Sequence, residues 1–291
     1  MHYVEAKTVL TPQNGYSPYH GSTEDLIYCE GLRKPYNRND YFDVEIKKNA
    51  PALLANALAK KRTRGMVILG SVVDPYMDLE KEECIMRDSL NVIARQDFGV
   101  SITTRNTLLL RDIDLLESIN RNSKAIINVP LETLSDSISG RICAGASVAS
   151  DRFEMICELI RRGITVTIIL QPIIPFINDY PEEIQAVLSE IKNVGVSGID
   201  PGNMILTLRG EVGKHFHKTY KERFPAEYEL YRKKYGDKDV VISDNAAAIE
   251  KLINDFTEKN KIARGKSEIE RLNRSYENKT EGTQMNIFDL L

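Results

Sequence analysis

A chain of 291 residues with 42% hydrophobic and 28% charged residues has the composition of an ordinary globular protein, long enough for one large α/β domain or two small ones. Its net charge of −3 gives no whole-chain argument for nucleic acid, and its longest apolar run, Val166 to Ile177, is interrupted by Gln171, Pro172 and Pro175 and is too short to span a bilayer. The first residues lack a basic-then-apolar leader, and Cys29, Cys84, Cys143 and Cys157 form no C-x-x-C pair, so a cytoplasmic protein with free thiols and no membrane contact is expected.

In chain order, Asn49 is placed to cap a helix whose Ala50, Leu53, Leu54, Ala57 and Leu58 share one face. The run Lys60-Lys61-Arg62 that follows reads as a solvated helix face, as does Arg232-Lys233-Lys234. Short apolar runs then recur: Met66–Leu69, Gly99–Thr103, Ala125–Val129, Thr165–Leu170 and Val196–Ile199. Each suits a strand buried on both faces. Between them, Ser150 caps a predicted helix with Phe153, Ile156, Cys157 and Ile160 inward and Gly163 at its end. Asp179 and Glu182 predict a capping-box start for Ile184, Val187, Leu188 and Ile191, ending near Gly195.

Strand starts spaced roughly 25–40 residues apart imply repeated βα units in a parallel sheet. Five or six units are too few to close an eight-stranded barrel. An open partial barrel or a doubly wound sheet remains, with the working surface at the strand C-termini. That surface comprises Ser71–Tyr76, Thr103–Asn106, Pro130–Thr133, Gln171–Asp179 and Asp200–Met204. The chain divides into a barrel over residues 1–209, a charged, Tyr- and Lys-rich helical extension over 210–274, and a tail over 275–291.

Several segments together resemble the radical S-adenosylmethionine proteins of the spore-photoproduct-lyase-like family. The stretch Tyr19-His20-Gly21-Ser22-Thr23-Glu24-Asp25-Leu26-Ile27-Tyr28-Cys29 matches that family's Y-R-G-C-x-x-x-C-x-Y-C loop. Asp74-Pro75-Tyr76 matches its D-P-Y segment, and Phe98 to Arg105 its third strand, which usually ends Thr-Lys. Leu110-Arg111-Asp112, Pro172 to Asp179 and Leu206-Thr207-Leu208-Arg209 continue the series. The resemblance implies a partial (β/α)6 TIM-like barrel. It further implies a [4Fe–4S] cluster on the loop after the first strand, and S-adenosylmethionine across the strand ends.

Three thiolates hold such a cluster because soft sulfur matches iron. Here the three positions are Ser22, Leu26 and Cys29. A serine hydroxyl is a poor ligand near neutral pH, leucine has no lone pair, and one thiolate does not suffice, so Cys29 reads as a vestigial ligand. Cys143, where the family has glutamate, is the only plausible helper, since Cys84 and Cys157 read as small core residues. The resemblance assigns Asp74, Thr104, Arg105 and Arg152 to the cofactor. Asp74 would accept hydrogen bonds from an amine or ribose, and the two arginines would clasp a carboxylate. Pro130 replaces a family hydroxyl residue, and His20 replaces an arginine.

Gln284-Met285-Asn286-Ile287-Phe288 resembles the peptide with which bacterial repair proteins dock on the sliding clamp, an apolar anchor on a tether. The expectation is a catalytically silent relative that keeps its barrel to bind a nucleotide, DNA or a partner. The alternatives are an active radical enzyme with a rescued cluster, and an interaction protein recruited through its tail.

Overall fold

The computed structural model describes residues 1–11, 15–32 and 41–279; the expected clamp-like peptide lies outside these residues. The apolar runs form the spine of one eight-stranded sheet. Its strands are β1 (Leu10–Thr11), β2 (Gly15–Tyr16), β3 (Met66–Leu69), β4 (Gly99–Thr103), β5 (Ala125–Pro130), β6 (Thr165–Ile169), β7 (Gly198–Asp200) and β8 (Ala263–Arg264). They lie side by side in reverse chain order from β8 to β1, all parallel except the β1–β2 pair. Every residue of β5 is buried, as a central parallel strand covered on both faces requires. The register sets Ile68 beside Ser101, Ser101 beside Ile126 and Ile127 beside Val166.

The helices are α1 (Ala50–Ala59), α2 (Glu80–Glu83), α3 (Ile85–Arg95), α4 (Ile113–Asn122), α5 (Asp136–Ile142), α6 (Ala149–Arg161), α7 (Pro181–Val194), α8 (Gly210–Arg223), α9 (Pro225–Tyr235), α10 (Ala246–Asn260) and α11 (Gly265–Arg274). Helix α11 touches β3, β4 and β7 together, although β3 and β7 are four places apart in the sheet. A flat sheet does not allow that contact, so the sheet is curled into a partial barrel. Ile269 of α11 is buried, and a Cβ on Gly198, at the start of β7, would meet its Cδ1 at 2.5 Å. Thus α11 plugs the N-terminal end of the barrel. None of the described helices is long and apolar enough to cross a membrane.

Three predicted caps are differently employed. The Asn49 side chain bonds both backbone groups of Ala6 rather than its own helix, tying the N-terminal segment down. Ser150 lies inside α6 with its hydroxyl on Asp136, and the helix begins after Val148. Asp179 accepts from the Phe176 N–H at 2.8 Å, while Tyr180 precedes α7 and Pro181 opens it. In each case a tertiary or loop partner competes successfully with the helix end for a short polar side chain. The α6 face is also rotated: Arg152, Met155, Ile156 and Leu159 are buried, while Phe153, Cys157 and Ile160 are partly so. Lys60, Lys61 and Arg62, expected on a helix face, lie in the turn and loop between α1 and β3.

The 210–274 segment supplies more than helices. It contributes β8 to the main sheet, and residues 240–242 pair with 205–207. Helices α8 and α9 build a second core of Phe216, Tyr220, Phe224, Tyr228 and Tyr231, into which Tyr28 packs edge-on at 6.5 Å from Phe216. The polar stretch from Ser275 begins against the barrel: Glu277 pairs with Lys124 at 2.6 Å, and the Tyr276 hydroxyl donates to the Asp97 carbonyl at 2.9 Å.

Candidate functional site

The strand C-termini open on a cavity of about 410 Å³, within the range that small-molecule sites occupy. Its walls come from loop 22–31 together with the ends of β3, β4, β5 and β6. Ser22, Leu26, Cys29, Asp74, Thr104 and Arg105 all face it.

Loop 22–31 is closed by its own bonds. The Ser22 hydroxyl accepts the Glu24 N–H at 3.0 Å. Asp25–Leu26 pairs antiparallel with Cys143–Ala144, placing Leu26 opposite Cys143. Helix α8 grips the loop from behind: Arg223 donates to both the Asp25 carbonyl (2.7 Å) and its carboxylate (2.6 Å), and His215 Nε2 lies 3.0 Å from the Leu26 carbonyl. The Ser22 and Leu26 positions thus have structural tasks that use no metal.

Both thiols at the cavity are pushed above the ordinary thiol range. Burial pushes the Cys29 thiol up, partly offset by the Tyr41 hydroxyl beside it. Burial also raises Cys143, with the nearby Glu24 carboxylate adding to the effect. Neutral thiols are weak ligands and weak nucleophiles. Among the described residues, no three His, Cys, Asp or Glu side chains converge to hold a metal ion. Cys84 and Cys157 lie elsewhere, Cys84 at the α2–α3 junction and Cys157 half-buried in α6. A serine, a leucine and one thiol do not fit a [4Fe–4S] cluster held in the three-cysteine mode.

Asp74 serves as the hub of the opposite wall. Its carboxylate accepts the Thr104 hydroxyl (2.7 Å) and the backbone N–H groups of Tyr76 (2.9 Å) and Arg105 (2.6 Å). Burial pushes its carboxyl up, and those three donors oppose the shift. Most of its acceptor capacity is therefore spent within the chain. Arg105 differs. Its Nη2 donates to the Gln171 carbonyl at 3.4 Å, while its Nε is buried without a partner. Burial alone would lower the guanidinium, but the acidic groups around it, the Glu132 carboxylate foremost, outweigh burial and raise it. A cation with an unspent donor at a cavity wall is suited to an incoming carboxylate.

Arg152, expected to clasp a ligand carboxylate, clasps Glu132 of its own chain instead, at 3.0 Å. Both side chains are buried, 1% and 0% exposed, and Arg152 Nη1 also donates to the Pro130 carbonyl. It therefore braces the end of β5 beneath the cavity and does not reach the lumen. His20 bonds Glu45 at 3.1 Å, away from the cavity wall.

Two acidic residues escaped the sequence reading. Glu24 lines the cavity and accepts from the Asn106 amide; burial, then the neighbouring Asp74 carboxylate, pushes its carboxyl up to about 8. Only its position inside loop 22–31 marked it. Glu132 lay in a segment already assigned to the strand ends, and the missing signal was the partner that a buried Arg152 demands.

The other family segments act as scaffold. The Tyr76 hydroxyl donates to Asp112 at 3.1 Å, and Arg111 bridges Asp112 (2.8 Å) and the buried Glu80 (2.7 Å). Asn178 donates to the carbonyls of Pro172 (2.9 Å) and Glu132 (3.1 Å), fixing the loop after β6.

No family model matches the chain. Uncharacterized proteins of Mycobacterium tuberculosis and Mycobacterium bovis are 24% identical over 226 residues, covering 75% of this chain. The match spans 65% of the length of those relatives. An uncharacterized protein of Methanocaldococcus jannaschii is 26% identical over 166 residues, 57% of this chain and 60% of its own. Among solved structures, spore photoproduct lyase complexed with dinucleoside spore photoproduct superposes with a TM-score of 0.62 at 13% identity, covering 90% of this chain and 80% of that one. A double mutant of that lyase with bound AdoMet and dinucleoside spore photoproduct gives 0.61 at 12% identity, covering 91% and 80%. SuiB of Streptococcus suis bound to precursor peptide SuiA gives 0.50 at 12%, covering 91% and 48%. The chain has the partial-barrel fold of the radical S-adenosylmethionine proteins, in its spore-photoproduct-lyase-like form.

Proposed function

We propose that this chain is a divergent spore-photoproduct-lyase-like barrel protein that is silent in radical chemistry and keeps its strand-end cavity to bind a nucleoside-type ligand carrying an anionic group. S-adenosylmethionine is the first candidate. One observation carries the reading: Ser22, Leu26 and Cys29 line the cavity with a single thiol among them. Without an iron to grip the amino-acid end of the ligand, Arg105 is the group left to receive its carboxylate. Four free cysteines accord with a reducing, cytoplasmic setting.

The test is anaerobic reconstitution with iron and sulfide, followed by calorimetry with S-adenosylmethionine. The expected result is substoichiometric iron together with saturable binding that Arg105→Ala weakens at least tenfold. Near-stoichiometric iron with [4Fe–4S] absorbance would sink the reading.

A second reading is favoured by Cys143, which faces the same cavity from the strand paired with Leu26. Two thiols there would support a rescued metal site and an active enzyme of DNA-repair type. Iron uptake lost in Cys143→Ser would select it. Recruitment to a sliding clamp through Gln284–Phe288 is compatible with either reading, and is tested by pull-down with and without that peptide.

A further inference from the structure

A second cavity, of about 560 Å³, opens at the opposite end of the barrel from the mouth. It lies between the β1–β2 hairpin, the loop 61–65 that enters β3, and the last turn of α11. Its lining includes three cations, Lys61, Arg64 and Arg274, and no acidic residue. All three side chains are exposed, and among the described residues none has a carboxylate partner. Arg64 is also held in place, its guanidinium 5.2 Å from the centre of the Phe98 ring that forms part of the floor. The Thr63 hydroxyl adds a neutral donor at the rim.

Helices α1 and α11 both end here, and each C-terminus contributes about half a negative charge. Three full cations exceed that by about two charges, so the cavity is net positive although the whole chain carries −3. Two elements far apart in sequence supply the cations, and they meet only because α11 closes the barrel base.

We propose that this basal cavity binds the phosphate groups of a small di- or polyphosphate-bearing molecule, with Lys61, Arg64 and Arg274 as the anion-binding residues. The site is independent of the mouth and of the proposed nucleoside binding there. Phosphate fits better than carboxylate because three cations around one opening match a multiply charged anion, and guanidinium forks meet phosphate oxygens in pairs.

The test titrates the full chain calorimetrically with inorganic pyrophosphate. One saturable site is expected, its affinity falling as ionic strength rises. Arg274→Ala and Lys61→Ala, both at exposed positions that leave the core intact, should each weaken binding about fivefold or more with unchanged melting temperature. Arg64→Ala should do the same, and Arg105→Ala at the mouth should have no effect. The proposal is overturned if pyrophosphate gives no saturable heat, or if binding survives Lys61→Ala and Arg274→Ala combined. It is equally overturned if binding is lost in Arg105→Ala, or if only a single-stranded oligonucleotide binds and pyrophosphate does not compete with it.

Discussion

At the scale of single residues, three buried ionisable groups carry most of what can be measured. Glu24 has its carboxyl pushed up to about 8 by burial and by Asp74. A carboxyl raised in the folded state binds its proton more tightly there than in the unfolded chain. Its effect on stability is therefore absent below the unfolded pKa near 4.5 and becomes an increasing loss as pH rises towards 8. The slope is at most about 1.4 kcal/mol per pH unit. Thermal melts between pH 5 and 8 should show the wild type losing stability relative to Glu24→Gln; parallel curves would mean that Glu24 is already ionised at pH 5. Arg152 and Glu132 form a pair with both side chains essentially unexposed. Removing one partner strands a charge in the interior, so Arg152→Ala should cost roughly 3–5 kcal/mol in denaturant unfolding. Arg152→Met combined with Glu132→Gln should recover much of that loss, since neither buried ion then remains.

At the scale of elements, α11 is the piece whose role follows least from its own sequence. Its Ile269 inserts among the strand starts, against the close approach left by Gly198. Ile269→Ala leaves a cavity at a junction of several strands and should destabilise the chain by about 2–4 kcal/mol, read as a lower denaturation midpoint. A cost under about 1 kcal/mol would show that the barrel base does not depend on this plug. Helix α8 acts at the other end, where Arg223 and His215 hold the Asp25–Leu26 backbone. The loop that positions the candidate site is thus fastened by a segment beginning after the predicted barrel boundary at residue 209, because the aromatic core of α8 and α9 has to pack on something apolar, and Tyr28 and Leu32 are there.

For the whole molecule, the question is whether the barrel mouth still has the shape to accept a cluster once the ligands are restored. Ser22→Cys combined with Leu26→Cys rebuilds the C-x3-C-x2-C spacing on a loop that already faces the cavity. If only the ligands were lost, anaerobic reconstitution of this double variant should take up about four irons per chain, with sulfide to match. Continued failure would mean that the loop, now closed by the Ser22–Glu24 turn and the Leu26–Cys143 pairing, has drifted in conformation as well as in chemistry.

By itself the sequence determined the spine of the fold: the strands at 66–69 and 99–103 stand where short apolar β-branched runs placed them, and Ile184, Val187, Leu188 and Ile191 face inward at helical spacing. Such signals are local, because burial on both faces of a strand or one face of a helix imposes its own period on the residues. That Ser22 and Leu26 offer no thiolate was also legible, since ligand chemistry depends on residue type alone. Tertiary structure decided the rest. It turned Arg152 from an expected ligand contact into an internal brace, since only packing could put Glu132 3.0 Å away. It drew Asn49, Ser150 and Asp179 away from helix ends, since tertiary or loop partners outcompeted the helix backbone. It also brought α11 across the barrel base, joining Arg274 to Lys61 and Arg64 around one cavity. Charges more than two hundred residues apart become one site only through the curl of the sheet between them.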